Sequence, residues 1–195
     1  MKQYNVTKGG LGEPQTIGCV NWKEYPYKPE VLFQMGYSDD CLLLRFEVLE
    51  AHLKAQYLND NEAVWEDSCV EFFVQDPDGV HYYNFEINCI GTLLAAKRKG
   101  KNDAVHFDAE KMARIKRTST LSREKIDLTE SGSWGVSLEI PLDLIGQNAT
   151  PKTLRANLYK CGDATSTPHF LSWSPIATEA PDFHRPEFFG ELVLL

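Results

Sequence analysis

The stretch from Val64 to Gly91 reads VWEDSCVEFFV, then QDPDG, then VHYYNFEINCIG. Proline presets φ and glycine admits positive φ, so Pro77 and Gly79 among aspartates mark a tight reversal at Asp76–Gly79. Both arms alternate. Val70, Phe72 and Val74 share one face of the first arm, and Tyr83, Phe85, Ile87 and Cys89 one face of the second. The other parity carries Trp65, Asp67, Cys69, Glu71 and Phe73, and then Tyr82, Asn84, Glu86 and Asn88. The pattern predicts an antiparallel hairpin with one core face. Pairing Gln75 with Val80 puts Glu71 opposite Asn84 and Asp67 opposite Asn88. A tryptophan beside a row of carboxylates and amides is unusual for a plain solvent face and suits a small hydroxyl-rich ligand.

Outward from this hairpin the chain punctuates into short extended runs. Val31 to Tyr37 and Cys41 to Leu49 predict a second hairpin around Ser38-Asp39-Asp40. Thr92 to Lys97, Ala113 to Leu121, Trp134 to Ile140, Thr153 to Cys161, His169 to Ser174 and Gly190 to Leu195 predict further strands. Ile17 to Trp22 reads as a short edge strand within an otherwise irregular start at residues 1–30. Helical turns are expected only at Asp108–Lys111 and at Pro141–Gly146, where the glycine ends the turn. Many short strands with little helix mean an all-β protein, a single antiparallel, jelly-roll-like β-sandwich domain over residues 1–195.

Composition excludes several classes. The net charge of −8 disfavours nucleic acid, which needs a basic face to displace phosphate counterions. The one basic run, Lys97 to Lys101, reads as a solvated turn. No stretch approaches the ~18–20 apolar residues of a membrane span. The start, MKQYNVTKGGLGEP, has no apolar core for a signal peptide. The expectation is therefore a soluble, cytoplasmic chain, or a secreted or periplasmic one if a leader was removed. The cysteines at 19, 41, 69, 89 and 161 lack metal-like spacing, are odd in number, and read as reduced, mostly buried thiols.

The segments VWEDSCVEFF, RANLYKCGD, LSWSP and DFHRPEFFG, in this order, resemble carbohydrate-binding module family 9 and its bacterial family 9-like, DOMON-like relatives. The resemblance runs from Trp22 to the last strand, and its best local match is a W-x-D-x-x-x-E pattern from Trp65 to Glu71. It implies a β-sandwich that holds one sugar ring between two tryptophans while carboxylate, amide and guanidinium groups bond its hydroxyls. Trp65 matches the first tryptophan and Glu71 the carboxylate. Trp173 is the candidate for the second tryptophan, although Phe170-Leu171-Ser172 lacks the expected amide. Asn84, placed opposite Glu71, and Arg155 or Asn157, by strand parity, complete the candidate set. Metal sites are also seen in the family, but no ligand spacing here carries over.

The plainer readings are definite too. Trp134 shares a face with Val136, Leu138 and Ile140 and belongs in a core. Glu71 has a structural alternative in pairing with Arg45 or Arg155. Asp39-Asp40 and Asn59 to Glu62 are turns first and structural calcium ligands second, because calcium needs six to eight preformed oxygens; no other cofactor is expected. The loop from Phe183 to Gly190 reads as an aromatic latch. Paired carboxylates admit glycoside hydrolysis as an alternative function, and an orphan sandwich for another small molecule is a third. No serine elbow, P-loop, dinucleotide glycine motif or HExxH is present. The balance favours carbohydrate binding without catalysis.

Overall fold

The computed structural model describes residues 2–128 and 130–195. Its main strands form two sheets joined through one shared strand and packed face to face, and Leu53–Ala55 pairs separately with Ile126–Leu128. One sheet runs, edge to edge, through Val105–His106, Leu93–Arg98, Tyr82–Asn88, Cys69–Gln75, Thr153–Cys161, Gly190–Leu194 and Gln3–Lys8. The other runs through Gln3–Lys8, Glu30–Tyr37, Cys41–Glu50, Gly132–Pro141 and Lys116–Ser119. The first strand belongs to both: Gln3–Val6 pair with Glu191–Leu194, and Thr7–Lys8 with Gly36–Tyr37, in each case parallel. All other pairings in the two sheets are antiparallel. This all-β sandwich is the expected architecture. Among the described residues, no helix is long and apolar enough to cross a membrane.

Alternation explains the core. Val70, Phe72 and Val74, Phe85 and Ile87, Leu154, Ala156 and Leu158 point inward from the first sheet. Leu42, Leu44, Phe46 and Val48, with Trp134, Val136, Leu138 and Ile140, meet them from the second. Burying one such side chain stabilises by roughly 1.5–3 kcal/mol, so the inward parity holds each strand's face against its neighbour. A second apolar cluster lies on the outside of the first sheet, where Cys69, Phe73, Tyr82, Tyr159 and Cys161 are covered by Trp22, Ile176, Phe183 and Phe189.

One ionic group sits between the sheets. Lys160 and Glu50 are buried, with Nζ 3.0 Å from Oε2, an ion pair whose angle misses hydrogen-bond geometry. Trp134 Nε1 donates to Glu50 Oε1 at 2.6 Å, and Lys160 Nζ reaches His169 Nε2 at 2.8 Å.

Several local expectations change. The central hairpin is closed by a longer turn, with Asp76 N donating to His81 O, so Gln75 pairs with Tyr82 and Glu71 with Glu86. The slip is an even number of residues, and the faces are therefore preserved. Trp65 is not on a strand: Val64–Glu66 is a 3₁₀ turn and the strand begins at Cys69. Ala113 and Arg114 end a helix, Ala109–Arg114, capped by Asp108, so the strand expected there shortens to Lys116–Ser119. Ile17 to Trp22 contributes only Cys19–Val20. The start is less irregular than its glycines suggest, since Tyr4 and Val6 alternate into the core.

Candidate functional site

A cavity of about 290 Å³ opens on the outer face of the first sheet. Its floor follows from strand parity. Glu71 and Glu86 are directly opposite each other on neighbouring strands, and each is only 3% exposed. Asn84 lies beneath, donating from Nδ2 to Glu86 Oε1 at 2.7 Å and accepting from Arg98 Nε at 2.9 Å. Arg98 also donates to the Lys101 carbonyl at 2.8 Å, which fixes its guanidinium at the cavity edge. The Cys161 thiol donates to Glu71 Oε1 at 3.1 Å.

Burial shapes the electrostatics. Loss of hydration pushes the Glu71 carboxyl well above the usual range, and the facing Glu86 charge adds to this. Burial also raises Glu86, to about 7, against the pull of Arg98 and Asn84. Two facing buried carboxyls do not both ionise cheaply, so the floor favours keeping one of them protonated. It can then donate one hydrogen bond and accept several.

The walls are aromatic. Trp65 stands on its 3₁₀ turn, held by Asp163 N and Ala164 N donating to the carbonyls of Trp65 and Glu66 at 3.2 and 3.1 Å. The end of that turn is pinned by buried Asp67, whose carboxylate accepts from Gln56 N, Tyr57 N and Asn88 Nδ2 at 2.9–3.1 Å. Phe170 and Phe183 line the cavity as well. Phe183 stacks on Tyr159 with centroids 4.2 Å apart and packs against Trp22 at 6.1 Å. The segment carrying it is tied down from several sides: Trp22 Nε1 donates to Thr178 O, Tyr159 Oη donates to Phe183 O, and Tyr82 Oη meets His184 Nδ1 at 2.8 Å. Burial and Arg98 lower His184 to about 4, so it is neutral and free to accept or donate. Asp182 and Asp163 complete the lining.

Of the residues singled out from sequence, the cavity brings together Trp65 and Glu71. Asn84 is one layer below and orients Glu86 and Arg98. The other three lie elsewhere. Trp173 is 1% exposed and packs in the inter-sheet core, edge-on to Phe33 at 5.9 Å. Its ring covers Gly190, where a Cβ would come within 2.5 Å of it. Asn157 is fully buried and bonds both the N–H and the C=O of Ser174. Arg155 donates to the Pro186 carbonyl at 2.9 Å and to Gln75, which fastens the Phe183–Gly190 latch. Neither Arg45 nor Arg155 pairs with Glu71; Arg45 is bound to Glu47.

Sequence reasoning missed Arg98, which was read as part of a solvated basic run. Its signal was parity, since Leu94, Ala96 and Arg98 share the face that carries Glu86 and Asn84 across the ladder. Phe170 and Phe183 carried no such signal. The acidic turn at Asn59–Glu62 spends its oxygens on the protein: Asp60 binds Arg117 and Arg123, Asn61 accepts from Ala95 N, and Glu62 accepts from Asn59.

The fold and this face define a class. The family model for carbohydrate-binding family 9 matches residues 7–194, and the chain belongs to that family. A candidate carbohydrate-binding protein from Bacteroides uniformis ATCC 8492 is 39% identical, with TM-score 0.93 over 100% of this chain and 99% of that one. A family 9 module from Caldicellulosiruptor kristjanssonii, solved with glucose, has TM-score 0.60 and 16% identity over 100% and 96% of the two chains. The same organism's module with cellotriose gives TM-score 0.57 and 15% identity over 99% and 93%. No curated protein is similar enough to count as a match.

Proposed function

We propose that this protein binds the terminal ring of a saccharide in the cavity between Trp65, Phe170 and Phe183, without cleaving it. The observation that carries the reading is that an aromatic residue, a buried carboxyl pair and a guanidinium line one small cavity. A pyranose has apolar C–H faces and a polar rim. Aromatic rings cover the faces, at about 1 kcal/mol per contact. Glu71, Glu86 and Arg98 meet the rim hydroxyls with charge-assisted bonds, which are about twice as strong as neutral ones. The volume lies near the lower end of small-molecule sites, roughly 300–1,000 Å³. It suits one ring with the rest of a chain outside, hence a chain end. The fold relatives solved with glucose and cellotriose support the same ligand class.

The absence of catalysis is supported by where the carboxyls stand. A glycosidase sets its two acids on either side of the scissile bond. Glu71 and Glu86 rise together from adjacent strands of one floor. Calorimetry against a panel of mono- and oligosaccharides, with and without a blocked reducing end, tests the proposal. Binding at or below millimolar levels that depends on one free end is expected. No binding by any sugar, or release of cleaved product, overturns it.

A further inference from the structure

We propose that the cavity floor is also a binding site for a zinc-class divalent cation, held by Cys69, Cys161 and Glu71. Cys69 and Cys161 are cross-strand partners in the antiparallel pairing of Cys69–Gln75 with Thr153–Cys161. Their sulfurs and a Glu71 carboxylate oxygen all lie within 4.8 Å of one another. A tetrahedral zinc with sulfur bonds of about 2.3 Å and an oxygen bond of about 2.1 Å needs ligand atoms about 3.5–3.8 Å apart. Contraction by about 1 Å brings the three onto one ion, and Cys161 Sγ and Glu71 Oε1 already stand 3.1 Å apart. Of the three, Glu71 lines the cavity, while both thiols are buried.

Charge balance fits as well. Two thiolates and a carboxylate around a divalent ion leave one negative charge, and Arg98 is the cation beside it. Without metal, the same three groups make a poor arrangement. Among the described residues, the weakly donating Cys161 thiol is the hydrogen-bond donor to buried Glu71, and the Cys69 thiol meets the Cys161 sulfur and its neighbour's carbonyl, Val70 O, at 3.6 Å. A soft ion converts two weakly bonded thiols and an underserved carboxyl into a closed set of ligands, with all their protons released to solvent.

Cobalt(II) is the probe, because thiolate ligation gives a near-ultraviolet charge-transfer band absent from oxygen-only sites. The full chain with Cys19→Ser and Cys41→Ser, which removes the two half-exposed thiols, should bind one cobalt per chain with that band, and one equivalent of zinc should displace it. In this background Cys69→Ala and Cys161→Ala should each weaken binding at least tenfold, and Glu71→Gln should weaken it while keeping the band. Circular dichroism identifies a variant that does not fold. In the folded parent, one zinc retained per chain after desalting, measured by elemental analysis, gives a second readout that needs no buried substitution. Absence of the band in the parent, or its persistence without Cys69 and Cys161, overturns the proposal. Sugar binding is not used as a readout, so this test stands whatever the saccharide panel returns.

Discussion

Two of the places where the molecule buries charge resolve it in opposite ways. Between the sheets, Glu50 meets Lys160, and Trp134 and His169 take the neighbouring positions. At the cavity floor, Glu71 meets another carboxyl, and one partly engaged guanidinium stands near both. The first group is matched and closed. The second is mismatched and open, and its carboxyls respond by holding a proton. A fully buried pair is retained when each charge has its partner, whereas unmet charge beside a cavity is what a ligand can complete.

The largest effect should come from breaking the matched group. Lys160→Ala leaves Glu50 buried and unpaired, and we expect a loss of about 3–5 kcal/mol in urea unfolding. Sugar affinity of the surviving folded fraction should be unchanged; a small loss of stability would mean that the pair is not sealed from solvent. Next, Trp173→Ala should cost about 3 kcal/mol of stability, because it empties a core site above Gly190. If it instead abolished sugar binding and left the unfolding midpoint alone, Trp173 would belong with the site after all. Trp65→Ala should do the reverse, with affinity lower by on the order of 2 kcal/mol, about thirtyfold, and stability nearly unchanged. Calorimetry paired with thermal unfolding separates the two.

The smallest effect probes the shared proton. Glu86 titrates at about 7 when folded and near 4.5 when unfolded, so the folded state binds more protons between those values. Its contribution to stability is therefore present at low pH and lost as pH rises through that window. His184, lowered to about 4, works oppositely: its contribution is present above about 6.5 and lost as pH falls toward 4. The comparison of wild type with Glu86→Gln cancels the histidine. Wild type should lose on the order of 1 kcal/mol relative to the variant between pH 4.5 and 7. Equal pH slopes for the two proteins would show that Glu86 ionises freely.

The strands were legible because one face of each is apolar and the other is not, and an even register slip leaves that contrast intact. The turn could not be counted from Asp76-Pro77-Asp78-Gly79 alone, since His81 closes it from outside the motif. Trp65 and Glu71, which the structure places in one cavity, stand out through local pattern. Trp173 was misplaced for a physical reason: the strand Phe170–Ser172 is covered on both sides, with Leu171 in one apolar cluster and Phe170 packed against the other. Parity there does not separate ligand from core. Asn157 and Arg155 face the expected side, yet they are taken up by backbone groups of the covering loop. Those partners lie 17 and 31 positions away, beyond any local pattern.

The strand Gln3–Lys8 has one more consequence, for synthesis. It bridges the two sheets, and its partner in the first is Gly190–Leu194. Gln3–Val6 must wait for Glu191–Leu194, far later in the sequence, before its ladder can form. Such distant pairing slows closure and leaves an unpaired edge exposed meanwhile. Nascent chains halted before Gly190 should therefore be bound by chaperones and cut readily by protease, and emergence of Gly190–Leu194 should be the event that protects them.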